Sequence, residues 1–343
     1  MPSRFPHAAH VYKTLVSKEW TTMLGALPTP LHVPPTTRVD LAMVERDPAA
    51  AARRAIGALQ KIGGHFKARR AGAAMPWTKG VAKLGYSWEA IDVRLWEGPD
   101  DLERALVALA RQPGCAADYV FVQEFVDAVG EMRAYCVDGT LKKLLYTRFD
   151  EPNAEAKTTA NADAEKHGDD DDDEATKDDA GRFTTFSELD RADAVDQWFR
   201  GDAALADAAE HEVRSLVKKW LNWLRGLNAE PLPFVRIDVF VCVHDGPDGG
   251  PPRLSVATGE LTELGASFLG WHEGPKLVFD ALLRSCFRDR PCASHGCVCS
   301  TVADDGAKKA KHRGKKKRKA NGADAAPTPP ASPPQPQTAA MDA

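Results

Sequence analysis

The stretch FVRIDVFVCV, residues 234–243, sets the tightest limit on how this chain folds. Its β-branched and aromatic residues read as a strand, in which side chains alternate between two faces. Arg236 and Asp238 therefore share one face, and Val235, Ile237, Val239 and Val241 take the other. Opposite charges on a strand this apolar need partners, a ligand or a metal, because an unpaired buried charge is costly. After the Gly/Pro-rich turn HDGPDGGPP, RLSVATGEL (253–261) reads as the return strand of an antiparallel hairpin. Counted by twos, Val256, Thr258, Glu260 and Thr262 share a parity, and the expected register brings Asp238 and Glu260 together across the strands. Facing carboxylates repel unless a cation or a proton sits between them. Hard oxygen ligands completed by phosphate oxygens are what Mg²⁺ prefers, and Arg236 suits the same phosphates. A structural salt bridge from Arg236 to Asp238 or Glu260 accounts for these residues equally well.

The chain has 343 residues, 43% hydrophobic and 27% charged, with a formal net charge of -4. Such a composition is globular, with room for one large domain or two modest ones. Near-neutral charge gives no global pull toward nucleic acid, so any such contact must be local. No apolar run approaches the roughly 20 residues that span a bilayer. The N-terminal MPSRFPHAAHVYKTLVSKEW lacks the apolar stretch of a secretory signal. The expectation is a soluble protein of the cytoplasm, with no membrane partner. Seven scattered cysteines fit a reducing compartment, with Cys136 and Cys242 as small core residues.

Composition divides the chain into residues 1–62 of mixed structure, a patterned core over 63–300, and a tail from 301 to 343. The core is interrupted over 151–182 by an acidic stretch containing GDDDDDE, too polar to offset its ordering entropy and expected to be a disordered insertion. The tail is basic (KKAKHRGKKKRK) and then Pro/Ala-rich, also expected to be disordered. Its Lys/Arg run reads as a solubilising tail or as a nuclear-import or RNA-contacting tag, the one route to nucleic acid or the nucleus. Within the core, YVFVQEFV (119–126) is a short strand, and EMRAYCV and LKKLLYTRF flank Asp138-Gly139, a strong hairpin signal. Val213, Leu216, Val217, Trp220, Leu221 and Leu224 recur at helical spacing, with Trp223 extending the stripe. The predicted class is α+β, mainly antiparallel, with helices packed on one side.

Two further segments carry candidate chemistry. GGHFKARRAGAAMPWTKG is expected to set Lys67 at the end of a short strand, followed by a small-residue loop and Lys79, where phosphate charge can be held. In VQEFVDAVGEMR, Gln123, Glu124, Phe125 and Val126 leave one strand and Glu131 enters the next. Such a connection offers main-chain hydrogen bonds to a purine edge and a carboxylate to ribose hydroxyls. Cys286, Cys292, His295, Cys297 and Cys299 lie close together, with spacings that fit a Zn²⁺ site poorly apart from Cys292-x-x-His295; core and loop positions are the preferred reading.

In order, FKARRAG, VQEFV, EMRAYCVDG, YTRF, RIDVFV and GELTELG resemble the ATP-grasp superfamily over roughly Gly63 to Leu269. RIDVFV with the following ELT is similar to the metal-binding end of D-alanine–D-alanine-ligase-like members. The resemblance implies a two-lobed fold, ATP and Mg²⁺ as cofactors, and a ligase that activates a carboxylate as an acyl phosphate for attack by an amine. It implies Lys67 and Arg236 as phosphate-binding and catalytic residues, with Lys79 beside them. Gln123 to Val126 would be the adenine hinge, Glu131 the ribose carboxylate, and Asp238, Glu260 and Thr262 the metal ligands. Thr262 stands where many members have asparagine. GELTELGASF is also similar to ATP-grasp proteins of polysaccharide or teichuronopeptide synthesis. The EMRAY strand is similar to cell-division-cycle-type assembly chaperones of a translation initiation complex. An ATP-gated module holding a protein client is the alternative that these likenesses imply.

Overall fold

A computed structural model gives the fold of residues 5–27, 29–67, 79–86, 92–112, 117–150, 185–228, 230–246 and 250–287. The acidic stretch, the basic tail, the loop after Lys67, and Cys292, His295, Cys297 and Cys299 lie outside these residues. The class is α+β: two antiparallel sheets, each with helices and a hydrophobic core of its own. Among the described residues, no helix is long and apolar enough to cross a membrane.

The smaller sheet has the order β1-β4-β2-β3, from β1 Thr36–Asp40, β2 Lys79–Leu84, β3 Val93–Glu97 and β4 Tyr119–Glu124. One face carries Val39, Ala82, Leu84, Val120 and Val122 into a core with α3 Leu41–Arg46, α4 Pro48–Lys67 and α5 Pro99–Ala110. Helix α5 starts where Pro99 fixes the first turn and Asp100 and Asp101 meet the positive end of the dipole. Strand alternation turns Thr36, Lys83, Phe121 and Gln123 to the opposite face, and the register pairs Thr36 with Gln123 and Lys83 with Phe121.

The larger sheet has the order β7-β6-β5-β8-β9, from β5 Gly130–Val137, β6 Thr140–Asp150, β7 Thr185–Leu189, β8 Phe234–His244 and β9 Arg253–Thr262. Val235, Ile237, Val239 and Val241 enter the main core beneath α1 Ala9–Ser17, α2 Trp20–Gly25, α6 Arg191–Phe199 and α7 Ala203–Leu227. Helix α7 buries Val213, Leu216, Val217, Trp220 and Leu224, the stripe read from the sequence, while Leu221 and Trp223 pack at its margin. Its first turn is closed by Asp202, whose carboxylate accepts from the Leu205 amide at 3.0 Å. The predicted hairpin turn is present, with Asp138 at φ 50° and Gly139 at φ 68°, the two left-handed positions a tight β-turn of this kind requires. On the sheet's other face, α8 Gly274–Phe287 and Trp271 cover Tyr135, Val137 and Phe234, leaving the rest of that face to polar residues. The outer edge of β9 is occupied at one point by the segment before β1: the Thr258 amide donates to the His32 carbonyl at 2.9 Å.

Helices α1 and α2 join the main core, and β1, α3 and α4 the smaller one, so the residues before Gly63 are divided between both. His7 belongs to this region and is 1% exposed. Burial lowers its imidazole to about 4, the Phe234 backbone acting the other way, and both ring nitrogens are buried without a hydrogen-bond partner. The unfolded chain takes up this proton as pH falls through about 6.5, the folded chain only near 4. Stability is therefore lost across that window, by about 3 kcal/mol. Urea midpoints measured from pH 7 to 4.5 should fall more steeply for wild type than for His7→Gln, in which the slope from this group is absent.

Gly80 supports the smaller sheet through a close approach, since a Cβ there would overlap the Trp96 ring and the Gln123 carbonyl. Neither the backbone oxygen nor the buried indole has room to give way. Gly80→Ala should lower the free energy of unfolding by about 1–3 kcal/mol, the usual range for an overfilled core, as read by chemical denaturation.

Candidate functional site

The polar region of the larger sheet is built from three adjacent strands. Register places Arg133 of β5 opposite Asp238 of β8, and Asp238 opposite Glu260 of β9. The neighbouring row is Tyr135, Arg236 and Thr262, and Glu131 lies on β5 opposite Phe240. The convergence of Asp238 and Glu260 is thus realised, but not by simple alternation. Val239 pairs with Thr258 and Asp238 with Glu260, so Gly259 is an extra residue in a β-bulge. Thr258 accepts from the Trp220 indole on the helix side, whereas Glu260 shares the face of Asp238. Without the bulge, Glu260 would follow Val256 and Thr258 into the apolar core. The common parity expected for all four residues is corrected accordingly.

Each charge in this region is satisfied within the chain. Arg236, 6% exposed, grips Asp238, 1% exposed, with Nε donating to Oδ1 at 2.8 Å and Nη2 to Oδ2 at 2.7 Å. The same Nη2 donates to Thr262 Oγ1 at 3.2 Å. Burial opposes the guanidinium charge, but Asp238 outweighs it and raises the Arg236 pKa. Glu131 accepts from Arg133 Nε at 2.7 Å and from Thr147 Oγ1 at 3.1 Å. Burial, and then the negative charge of Asp238, push Glu131 up to about 7 against the pull of Arg133 and Arg236. Its carboxylate therefore belongs electrostatically with Asp238. Burial acts to raise Glu260 as well, yet Lys18, Arg236 and Lys83 bring it below the usual carboxylate range.

Two lysines that sequence reading passed over complete the arrangement. Lys18, just after α1, places Nζ 2.8 Å from Glu260 Oε1. Lys83 of β2 donates to Gln123 Oε1 at 3.1 Å, and Gln123 Nε2 donates to Thr36 Oγ1 at 2.7 Å. Burial and the positive charge of Lys18 lower Lys83 to about 8, while Glu260 acts to raise it. The inward face of the smaller sheet thus lies in the same field as the charged face of the larger one. A signal for Lys83 existed: its parity sets it opposite Ala82 and Leu84, on a strand whose other face is core. No local pattern marks Lys18, which is brought in by the packing of α1.

The remaining candidates divide. Lys67 is the last residue of helix α4, not the end of a strand, because the Ala-rich helical pattern runs on through GGHFK. Lys79 opens β2, and its ammonium lies over the Phe125 ring at 4.0 Å. Gln123 and Glu124 end β4, and Phe125 and Val126 begin the crossing to β5. The Phe125 amide donates to the Lys79 carbonyl at 3.4 Å and the Val129 amide to Val241 at 2.8 Å, tying the connection to one sheet and then the other. Cys136 and Cys242 are buried in strands, as expected, and Cys286 is half-buried on α8.

Chemically, the region offers Lys18, Lys83, Arg133 and Arg236 against Glu131, Asp238 and Glu260, an excess of positive charge suited to a polyanion. Among the described residues, no three His, Cys, Asp or Glu side chains converge to hold a metal unaided. Asp238, Glu260 and Thr262 supply hard oxygens on one patch, which fits Mg²⁺ only if phosphate or water provides its other ligands.

No protein-family model and no curated protein matches the sequence. Among solved structures, the chain is similar to D-alanine–D-alanine ligase from Bacillus anthracis, at 13% identity and a TM-score of 0.43, over 83% of this chain and 72% of that one. It is similar to D-cycloserine synthetase DcsG at 18% identity and a TM-score of 0.39, covering 80% and 71% of the two chains. For D-alanyl-alanine synthetase A from Vibrio cholerae the identity is 13%, the TM-score 0.41, and the coverage 80% and 64%. The chain thus spans less than two thirds of that last protein's length. At this degree of likeness, the residues of the chain itself carry the functional reading.

Proposed function

We propose that the chain binds MgATP on its charged sheet face and uses it as an ATP-grasp-like ligase, activating a carboxylate as an acyl phosphate for attack by an amine. The observation that carries the proposal is the row Arg133, Asp238 and Glu260, with Arg236 and Thr262 beside it on one face. A buried ion pair of this kind is weak as a stabilising device, since apolar residues of equal size serve as well or better. Its retention in the middle of a sheet fits a ligand whose charges exchange with those of the pair. The order of motifs that resembles the ATP-grasp superfamily points the same way.

In this reading Asp238, Glu260 and Thr262 hold Mg²⁺, which when bound shields the phosphate oxygens and helps withdraw charge from the transferring group. Arg236 and Lys83 bind and orient the phosphates, and Arg133 keeps Glu131 in place beside Asp238. Gln123 to Val126, crossing between the sheets, present main-chain groups to the base. The phosphoryl group passes to a carboxylate oxygen, ADP leaves, and an amine displaces phosphate from the acyl carbon. Catalysis is then positioning and charge neutralisation by groups already fixed in a sheet.

Thermal unfolding with ATP and Mg²⁺ tests the site. At ligand about 100-fold above Kd, wild type should gain about 2.7 kcal/mol, a shift of a few degrees. Asp238→Asn, checked for fold by circular dichroism, should gain nothing; equal shifts in the two proteins would remove the metal assignment. Release of ADP with candidate carboxylates and amines marks the ligase, whereas MgATP binding without turnover marks a nucleotide-gated binding protein. Nucleotide affinity should also decline as pH rises through about 8, where Lys83 loses its proton, and that decline should be absent from Lys83→Arg.

A further inference from the structure

We infer that Thr36 is a positioning residue of the phosphate site: acting through Gln123, it turns a neutral carbonyl toward Lys83, so that this lysine is held in place with its charge left for the ligand. The inference rests on the MgATP reading above. Three strands of the smaller sheet carry the relay on one face. Thr36 opens β1 and stands opposite Gln123 of β4, while Lys83 of β2 stands opposite Phe121, two residues earlier on β4. Thr36 and Gln123 are both buried. The two ends of the relay dictate how the Gln123 amide is turned. The Pro34 carbonyl can only accept, and the Thr36 hydroxyl donates to it at 2.8 Å. That hydroxyl has a single proton, so toward Gln123 it can only accept, and Gln123 Nε2 donates to it at 2.7 Å. The amide oxygen is left facing Lys83, whose ammonium can only donate and does so at 3.1 Å. Close packing fixes the Pro34 carbonyl in turn, since a Cβ on Gly25 of α2 would come within 2.7 Å of its oxygen.

Lys83 differs in this from the other cations of the site. Arg236 is gripped by Asp238, Arg133 meets Glu131, and Lys18 meets Glu260. Among the described residues Lys83 makes no ion pair, and its hydrogen-bond partner is a neutral oxygen. A carboxylate in that place would have to be displaced by an incoming phosphate, whereas an amide dipole aims the ammonium and leaves its full charge to attract an anion. The charges that act on Lys83 come from two other elements. Burial and then Lys18, just after α1, lower it to about 8, and Glu260 of β9 acts against them. A hydrogen bond given by the ammonium favours the charged form. Without the aimed carbonyl, Lys83 would release its proton at lower pH and lose its hold on phosphate earlier.

Calorimetric titration with a non-hydrolysable MgATP analogue between pH 6 and 9 tests this, comparing wild type with Thr36→Val, which removes the hydroxyl and keeps the branched shape. At pH 6, where Lys83 is charged in both proteins, the two affinities should agree. Toward pH 9 the variant should fall behind by about fivefold, the weight of one neutral hydrogen bond. Thr36→Ser, which restores the hydroxyl, should follow wild type at every pH. Gln123→Met removes the carbonyl itself; it should show the same pH-dependent loss and stands in for Thr36→Val if that variant misfolds. Affinities that differ by one constant factor at every pH, or not at all, overturn the relay and leave the MgATP reading standing. No binding of the analogue by wild type overturns both.

Discussion

The pairing of Arg236 with Asp238 in the middle of β8 is the constraint around which the larger sheet is arranged. A guanidinium and a carboxylate two residues apart on a strand necessarily share a face, and both are almost fully buried. That face cannot be closed by helices in the way the opposite one is, because further apolar cover would deepen the desolvation cost of both charges. The fold answers by filling it with more charge. Arg133 and Glu131 come from β5, Glu260 and Thr262 from β9, and α8 covers only the apolar end. One strand with charge on one side and valine on the other thus accounts for helices α1, α2, α6 and α7 gathering on a single face.

Much of this was legible in the sequence, because strand parity and helical spacing are local. The two faces of β8, the stripe of α7 and the Asp138-Gly139 turn all follow from counting residues. What was not legible depends on events that counting assumes away. The bulge at Gly259 reverses the parity of β9 between Thr258 and Glu260, and glycine alone does not distinguish a bulge from an ordinary strand position. At Lys67 the nearby basic residues and glycines suit a phosphate loop after a strand, whereas the alanine-rich pattern before it continues as helix. Lys18 and Lys83 join the charged region through tertiary packing between elements distant in the chain, for which no single segment carries a signal.

The site also shows how charge can be stored without being neutral in each small volume. Glu131 is driven toward protonation by burial and by Asp238, Glu260 is held below the usual carboxylate range by Lys18 and Arg236 against its burial, and Lys83 is lowered by burial and then by Lys18 against the pull of Glu260. These opposed shifts arise from groups held on rigid strands, so a bound polyanion meets a prearranged field and the protein need not reorganise to create one.

The contact between the segment before β1 and the rim of β9 bears on how other chains can approach. An outermost strand normally offers its amides and carbonyls to any extended peptide, and this is a common route to both regulated docking and uncontrolled aggregation. Here the Thr258 amide is taken by His32, and the Val256 carbonyl lies 3.1 Å from the His32 ring. A peptide aligning with β9 would first have to strip this segment away, and with it Leu31 and Val33 from the main core. Partners that recognise the protein by extending a sheet are accordingly directed elsewhere, toward β7 or the outer strands of the smaller sheet.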